Sequence, residues 1–276
     1  MLVRGGELKE LSVEGNMTNL LILRFLMPIS VVCFIVYYLS EKRSLIILFF
    51  LLILMLITAC PTGISRNTTA GLYIPVLLTC FAIFKRRNFF ILSFLFAILI
   101  LFPLLNQFRT FNSDDGLSFT PDFSMFIEGH FDSYPNFALI INSEIVTYGI
   151  QLLGVLFFWI PRSIWPGKPI SSGIFLSEKA NLNFENISVN YFAEGYLNFG
   201  FVGLFIFLVI LAFTLARIDK IYWRYTVQYK SNFFNVIYLI CLGMLFFVLR
   251  GDLMSSFAYT LGMLFSSIFV FKFVKK

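Results

Sequence analysis

The sequence predicts an all-α polytopic membrane protein, with about seven transmembrane helices and one large extracytoplasmic loop. Hydrophobic residues make up 59% of the chain and charged residues 13%, and there are 37 phenylalanines. That is more apolar surface than a soluble domain of 276 residues could bury. The apolar runs are mostly 15 to 21 residues long and nearly free of charge. A helix needs roughly 20 residues to cross about 30 Å of hydrocarbon. Lysine and arginine gather between alternate runs, and this asymmetry orients the chain.

In chain order the expected spans are 20–39, 44–60, 69–84, 88–106, 196–216, 232–250 and 254–272. The third is the shortest and carries Pro75. The chain thus divides into residues 1–106, an N-terminal tail with four helices; 107–195, the large outer loop; and 196–276, three helices with a cytoplasmic tail. The opening "MLVRGGELKELSVEGN" is mixed in charge and lacks the basic start and immediate apolar run of a signal peptide. Cys33, Cys60, Cys80 and Cys241 fall in or at the ends of apolar runs without metal-ligand spacing, which suits small packing residues.

"EKR" at 41–43, "KRR" at 85–87, the stretch 217–230 and the tail "KFVKK" hold twelve of the 21 lysines and arginines, and alternate gaps put all four on one face. The positive-inside rule makes that face cytoplasmic. Residues 107–190 then lie outside, with eight acids against four lysines or arginines. "EIVTYGIQLLGVLFFWI", residues 144–160, is apolar enough to cross, but crossing would throw the basic stretch 217–230 outward. It is therefore expected to be re-entrant, or interfacial with Trp159 and Trp165 at headgroup level. The surplus of six positive charges follows from this orientation and implies no nucleic-acid partner. No phosphate-binding glycine loop, zinc spacing or internal repeat is seen, which argues against a nucleotide-driven pump and an inverted-repeat carrier.

Cations on the outer face run against the orientation bias and point to a bound anion. They are Arg66 in "CPTGISRNTTAG", Arg109, Arg162 and Lys168 in the loop, and Arg250 at the outer end of the sixth span. A guanidinium can donate two parallel hydrogen bonds to a diphosphate and stays charged when partly dehydrated. The structural alternative is snorkelling to headgroups or pairing with acids. Candidate bases are Asp132 and His130 in "FIEGHFDSYPNF" and Glu194 in "NYFAEGYLNFGFVG". A carboxylate at a membrane boundary tends to hold its proton to higher pH and can serve as a base near neutrality. A carboxylate favoured by a helix N-terminus and a solvated loop histidine are the plainer readings.

"PTGISR", "HFDSYPN", "IPRSIWPGKP" and "NYFAEGYLNFGFVG" together resemble the pattern of bacterial oligosaccharide repeat-unit polymerases, the O-antigen and capsule (Wzy-like) polymerases. The likeness covers roughly residues 58–205, and the Pro-Arg-x-x-Trp-Pro-x-Lys-Pro stretch carries most of it. Members of that family have more spans, so the chain resembles their C-terminal portion without several N-terminal helices. The resemblance implies a glycosyltransferase of the bacterial inner membrane that needs neither a nucleotide donor nor a metal or other cofactor. Its substrate would be an undecaprenyl-diphosphate-linked oligosaccharide, with flippase and chain-length-regulating proteins as partners. Ser65 and Arg66 also match a motif of the related O-antigen ligases. The chain departs from that pattern at Asn198, where an acid would stand, and at Val189 and Asn190, near where histidines would lie. A lipid-linked oligosaccharide flippase and a ligase are the competing functions.

For a polymerase, the expected chemistry is a single displacement at the anomeric carbon. Arginines such as Arg66 and Arg162, with Lys168, would hold the diphosphate, and one of Glu194, Asp132 and His130 would accept the proton.

Overall fold

A computed structural model describes residues 27–61, 63–64, 66–101, 103–104, 123, 132–182, 187–226 and 233–273. Among these residues the secondary structure is helical, without strands. The helices are α1 (Met27–Leu39), α2 (Leu45–Thr58), α3 (Arg66–Cys80), α4 (Arg87–Phe96), α5 (Ser133–Asn142), α6 (Ile150–Leu156), α7 (Ser172–Lys179), α8 (Tyr191–Thr226), α9 (Phe233–Arg250) and α10 (Leu253–Phe273). A 3₁₀ turn at Ala82–Lys85 precedes α4, and a π-helical turn at Ala97–Leu101 extends it. A helix thus stands within each expected span. The third ends as an α-helix at Cys80 because Phe81 is extended. Residues 20–26 of the first expected span, 102 and 105–106 of the fourth and 232 of the sixth lie outside the described residues.

Tyr191–Arg224, Phe233–Arg250 and Leu253–Phe273 are helical stretches long and apolar enough to cross a membrane, and α1 to α4 are shorter apolar helices. The lipid-like character is plainest on α2, where Leu45, Ile46 and Ile57 are exposed. The four cysteines form no disulfide and are partly buried.

The chain forms two compact units, one of residues 1–125, 224–244 and 262–276, the other of 126–223 and 245–261. In the first, α1 packs on α2 and α3. The Ser30 and Thr58 hydroxyls bond at 2.7 Å, and the Tyr73 hydroxyl donates to Ala59 O at 2.6 Å. Gly71 and Gly243 bring α3 and α9 into close contact: a Cβ on Gly71 would lie 2.7 Å from Met244 Sδ, and one on Gly243 would lie 2.5 Å from Pro75 Cδ. Small residues permit the backbone approach that membrane helices use for packing.

The second unit is built on a chain reversal inside α8. Phe199 (φ −142°, ψ 22°) and Gly200 (φ 64°, ψ −151°) leave the helical region, and the Gly200 combination is open to glycine alone. Arms 191–198 and 201–226 then run antiparallel. The Tyr191 hydroxyl donates to Phe207 O at 3.2 Å, and their rings lie 5.0 Å apart. An unbroken helix would separate those residues by about 24 Å. Gly195 faces Gly203 across the reversal, and a Cβ on Gly195 would lie 2.9 Å from Gly203 O. The membrane-length part of α8 is therefore 201–224.

Residues 144–160 do not form one helix. Glu144, Tyr148 and Gly149 have positive φ, and only Ile150–Leu156 is α-helical. Seven residues rise about 10 Å, too little to cross a bilayer. α5, α7 and the 191–198 arm bury Ile140, Leu176, Val189, Ala193 and Leu197 in one core.

The reversal makes a direct prediction. In a cysteine-free background, Tyr191→Cys with Phe207→Cys will link intramolecularly with a short bifunctional thiol reagent. The pair Tyr191→Cys with Phe213→Cys, farther along the second arm, will not. An unbroken helix would give no link in either pair.

Candidate functional site

Two helix N-termini meet in the second unit. Ser171 ends α7 in extended geometry, so the first amides of that helix have no partner of their own, and Asp252 stands at the N-cap of α10. Asp252 Oδ1 accepts the Ser172 amide at 3.0 Å, and Oδ2 accepts the Ser255 amide, three residues into its own helix, at 2.9 Å. The Gly173 amide and the Ser255 hydroxyl also donate to this carboxylate. One side chain thus caps two helices. Gly173 lets the chain at Ile187 approach the start of α7, because a Cβ there would collide with Ile187 O.

Glu194 completes the junction. It is 0% exposed, its Oε2 accepts the Ser172 hydroxyl at 2.9 Å, and its Oε1 accepts the Leu253 amide at 3.2 Å. Ser172 therefore bridges the two acids, giving its hydroxyl to one and its amide to the other. The positive ends of two helix dipoles face this pair, which favours negative charge where water is excluded. Burial pushes the Asp252 carboxyl above its ordinary 3.8, and the donated hydrogen bonds offset part of that rise.

Asn198 serves a third helix in the same way. The N-cap of α6 is Gly149, which has no side chain to cap with, and Asn198 Oδ1 accepts the Leu152 amide at 2.8 Å. Its Nδ2 donates to Glu194 O at 2.9 Å. Thr147 N and Gly149 N donate to Leu197 O and Asn198 O at 2.7 and 3.0 Å, which fixes α6 against the turn. Asn198, which departs from the ligase-like pattern, acts here as a cap.

Asp132 and Arg250 belong to the same unit and interact electrostatically. Asp132 Oδ2 accepts the Ser188 amide at 3.1 Å, while Oδ1 is buried without a hydrogen bond. Arg250, at the last turn of α9, is within electrostatic reach of that carboxylate. Asn136 Nδ2 donates to Ser188 O at 2.9 Å and Asn190 Nδ2 to Ser133 O at 3.2 Å, tying the "DSYPN" turn to the approach to Glu194.

Arg162 and Lys168 turn onto their own loop. Arg162 Nη1 donates to Lys168 O at 2.8 Å and Nη2 to Pro169 O at 3.4 Å. Lys168 Nζ donates to Phe158 O and to Ile160 O. Arg66 opens α3, and its side chain is outside the described residues, as are Arg109 and His130 altogether. Among the described residues no cluster of three or more His, Cys, Asp or Glu side chains could hold a metal.

Ser172 and Asp252 were not singled out from the sequence, and Asn198 was noted only as a departure from the ligase pattern. Asp252 carried a signal, an aspartate directly before an apolar run with a serine three residues on, which is an N-cap pattern. Ser172 and Asn198 carried none, because each acts on a helix remote in sequence. No protein-family model, curated protein or solved structure matches the chain.

The Asp252 shift sets a pH dependence. A carboxyl whose folded-state value is raised contributes stability below its unfolded value and loses it as pH rises through the folded value. The thermal midpoint of the solubilised protein will therefore fall as pH rises above about 4, and in Asp252→Asn that component will be absent. Removing the side chain in Asp252→Ala leaves several buried donors unpaired and will cost on the order of 3 kcal/mol at low pH. Denaturation followed across pH 3–8 checks both.

Proposed function

We propose that the chain is a membrane glycosyltransferase that polymerises undecaprenyl-diphosphate-linked oligosaccharide repeat units. It would act at the outer face of a bacterial cytoplasmic membrane that it crosses about seven times. The observation that carries this reading is the convergence of "DSYPN", "IPRSIWPGKP" and "NYFAEGYLNF" in one compact unit. Asp132, Asn136, Ser172, Asn190 and Glu194 link the first and last of these segments and the start of α7 directly.

The geometry favours Asp132 as the proton acceptor. Of its two oxygens one is engaged, the other lacks a hydrogen bond, and Arg250 is within electrostatic reach. The acceptor hydroxyl oxygen would attack the anomeric carbon as the bond to the diphosphate breaks, inverting that centre, and its proton would pass to Asp132. The electron pair would leave on the diphosphate oxygen, where Arg250 offers charge stabilisation. Glu194, sealed from solvent and bonded through both oxygens, is a positioning residue here. It holds the start of α10, three residues beyond Arg250. The two engaged acids, Glu194 and Asp252, lie at helix ends, whereas a flippase would need polar groups along the middle of its spans.

The test is polymer formation in a strain lacking its own polymerase. The unaltered protein will give a ladder, and Asp132→Asn and Arg250→Gln, at equal membrane levels, will lower polymer yield about 100-fold or more. Normal ladders from both variants would refute the assigned roles. Repeat units trapped on the cytoplasmic side when the protein is absent would favour the flippase.

A further inference from the structure

The passage "IPRSIWPGKPISSG" contains three prolines and two cations in an apolar setting. Its packing fixes its depth. Val155 of α6 is buried with Phe207 and Leu253, and Leu211 and Phe257 pack around them. Phe158, just beyond α6, meets the Phe257 ring edge to face at 6.3 Å. Phe207 and Leu211 lie two and three turns into the membrane-length arm of α8, and Phe257 lies one turn into α10. The chain therefore descends along two membrane-length helices from Gly149 to Phe158. It returns past Gly154, where a Cβ would come within 2.9 Å of Pro169 Cβ, to reach Asp252 at Ser172.

The outward side of this descent is apolar. Leu153, Leu156 and Phe157 are exposed, as are Trp159 at 62% and Ile164 at 75%. Phe205 and Leu208 on the neighbouring arm are exposed too, so the two surfaces face one medium. Irregular backbone is tolerated at membrane depth only where its polar groups find partners within the protein. Part of the loop meets that condition, in two ways. Pro161, Pro166 and Pro169 have no N–H to satisfy. Lys168 and Arg162 supply donors to Phe158 O, Ile160 O, Lys168 O and Pro169 O, and the Trp165 amide donates to Pro161 O at 3.0 Å.

We infer that residues 149–171 form a re-entrant loop whose outer side is seated in the acyl chains of the outer leaflet, with Lys168 and Arg162 acting as internal caps for its carbonyls. The cations of this motif then serve the loop's insertion, and their long apolar stems suit that depth. The loop's seat in lipid is independent of the polymerase reading, since it requires no glycan substrate.

The experiment uses the full chain with Trp165→Phe and Trp223→Phe, leaving Trp159 as the sole tryptophan, reconstituted in phosphatidylcholine vesicles without any lipid-linked sugar. Lipids brominated on the acyl chains will quench Trp159 emission by roughly half or more, and aqueous iodide will have little effect. Lys168→Met, which keeps the stem and removes the donors, will shift Trp159 toward iodide, and Lys168→Arg will restore bromolipid quenching. Strong iodide quenching in the unaltered loop would overturn the insertion. Protection from both quenchers would also overturn it, because another protein surface would then cover this face. If Lys168→Met leaves the quenching pattern unchanged, the capping role fails even if the loop is inserted.

Discussion

Carboxyl groups removed from water must find donors, and in this protein those donors come from helix N-termini. Glu194 and Asp252 share Ser172, and between them they take amides at the starts of α7 and α10. The helices need the acids as much as the acids need the helices, because their first amides have no partners within the helix. The junction also fixes distance. Residues far apart in sequence must meet within hydrogen-bond reach, so the α9–α10 turn, the start of α7 and the first arm of α8 form one assembly. Arg250 and Asp132 take their places on its border.

The reversal at Phe199–Gly200 serves this junction. An unbroken α8 would carry Glu194 straight out along the helix axis. Folding the first arm back along the second, through the Gly195–Gly203 contact, sets Glu194 beside the start of α10 and brings Asn198 to the bare N-terminus of α6. α6 can then be short, because its leading end is capped by Asn198, while Lys168 takes the carbonyls of Phe158 and Ile160 just beyond its other end. The N-terminus of a seven-residue helix is thus satisfied by a side chain 46 residues away. A short apolar helix needs that support, since seven residues are marginal alone.

The helices were legible because their signal is local. Apolar runs of near-membrane length predicted every long helix, and positive charge at alternate gaps kept residues 144–160 from being read as another span. The three residues with positive φ at 144, 148 and 149 give a physical reason why that segment does not continue as a helix. The reversal was less visible. "NFGFVG" was read for family likeness, while its two glycines, Gly200 for the turn and Gly203 for close approach, carry the backbone event. Among candidate site residues, Glu194 stood out as an acid at the return into a helix, yet its partners could not be read, because Ser172 is 22 positions away and Leu253 is 59. Arg162 and Lys168 show the same limit in reverse. Their charge suggested an anion, but whether a cation turns to a ligand or to its own loop depends on the path of the backbone.

Ser172 ties the two buried acids together through its hydroxyl and its amide. A double-mutant cycle of Ser172→Ala and Glu194→Gln, with unfolding measured in a mixed detergent and denaturant titration, reads the hydroxyl arm of that link. The double variant will lose less stability than the sum of the singles, with a coupling of about 1–2 kcal/mol. Additivity to within about 0.3 kcal/mol would contradict it, since the two side chains would then not share an interaction.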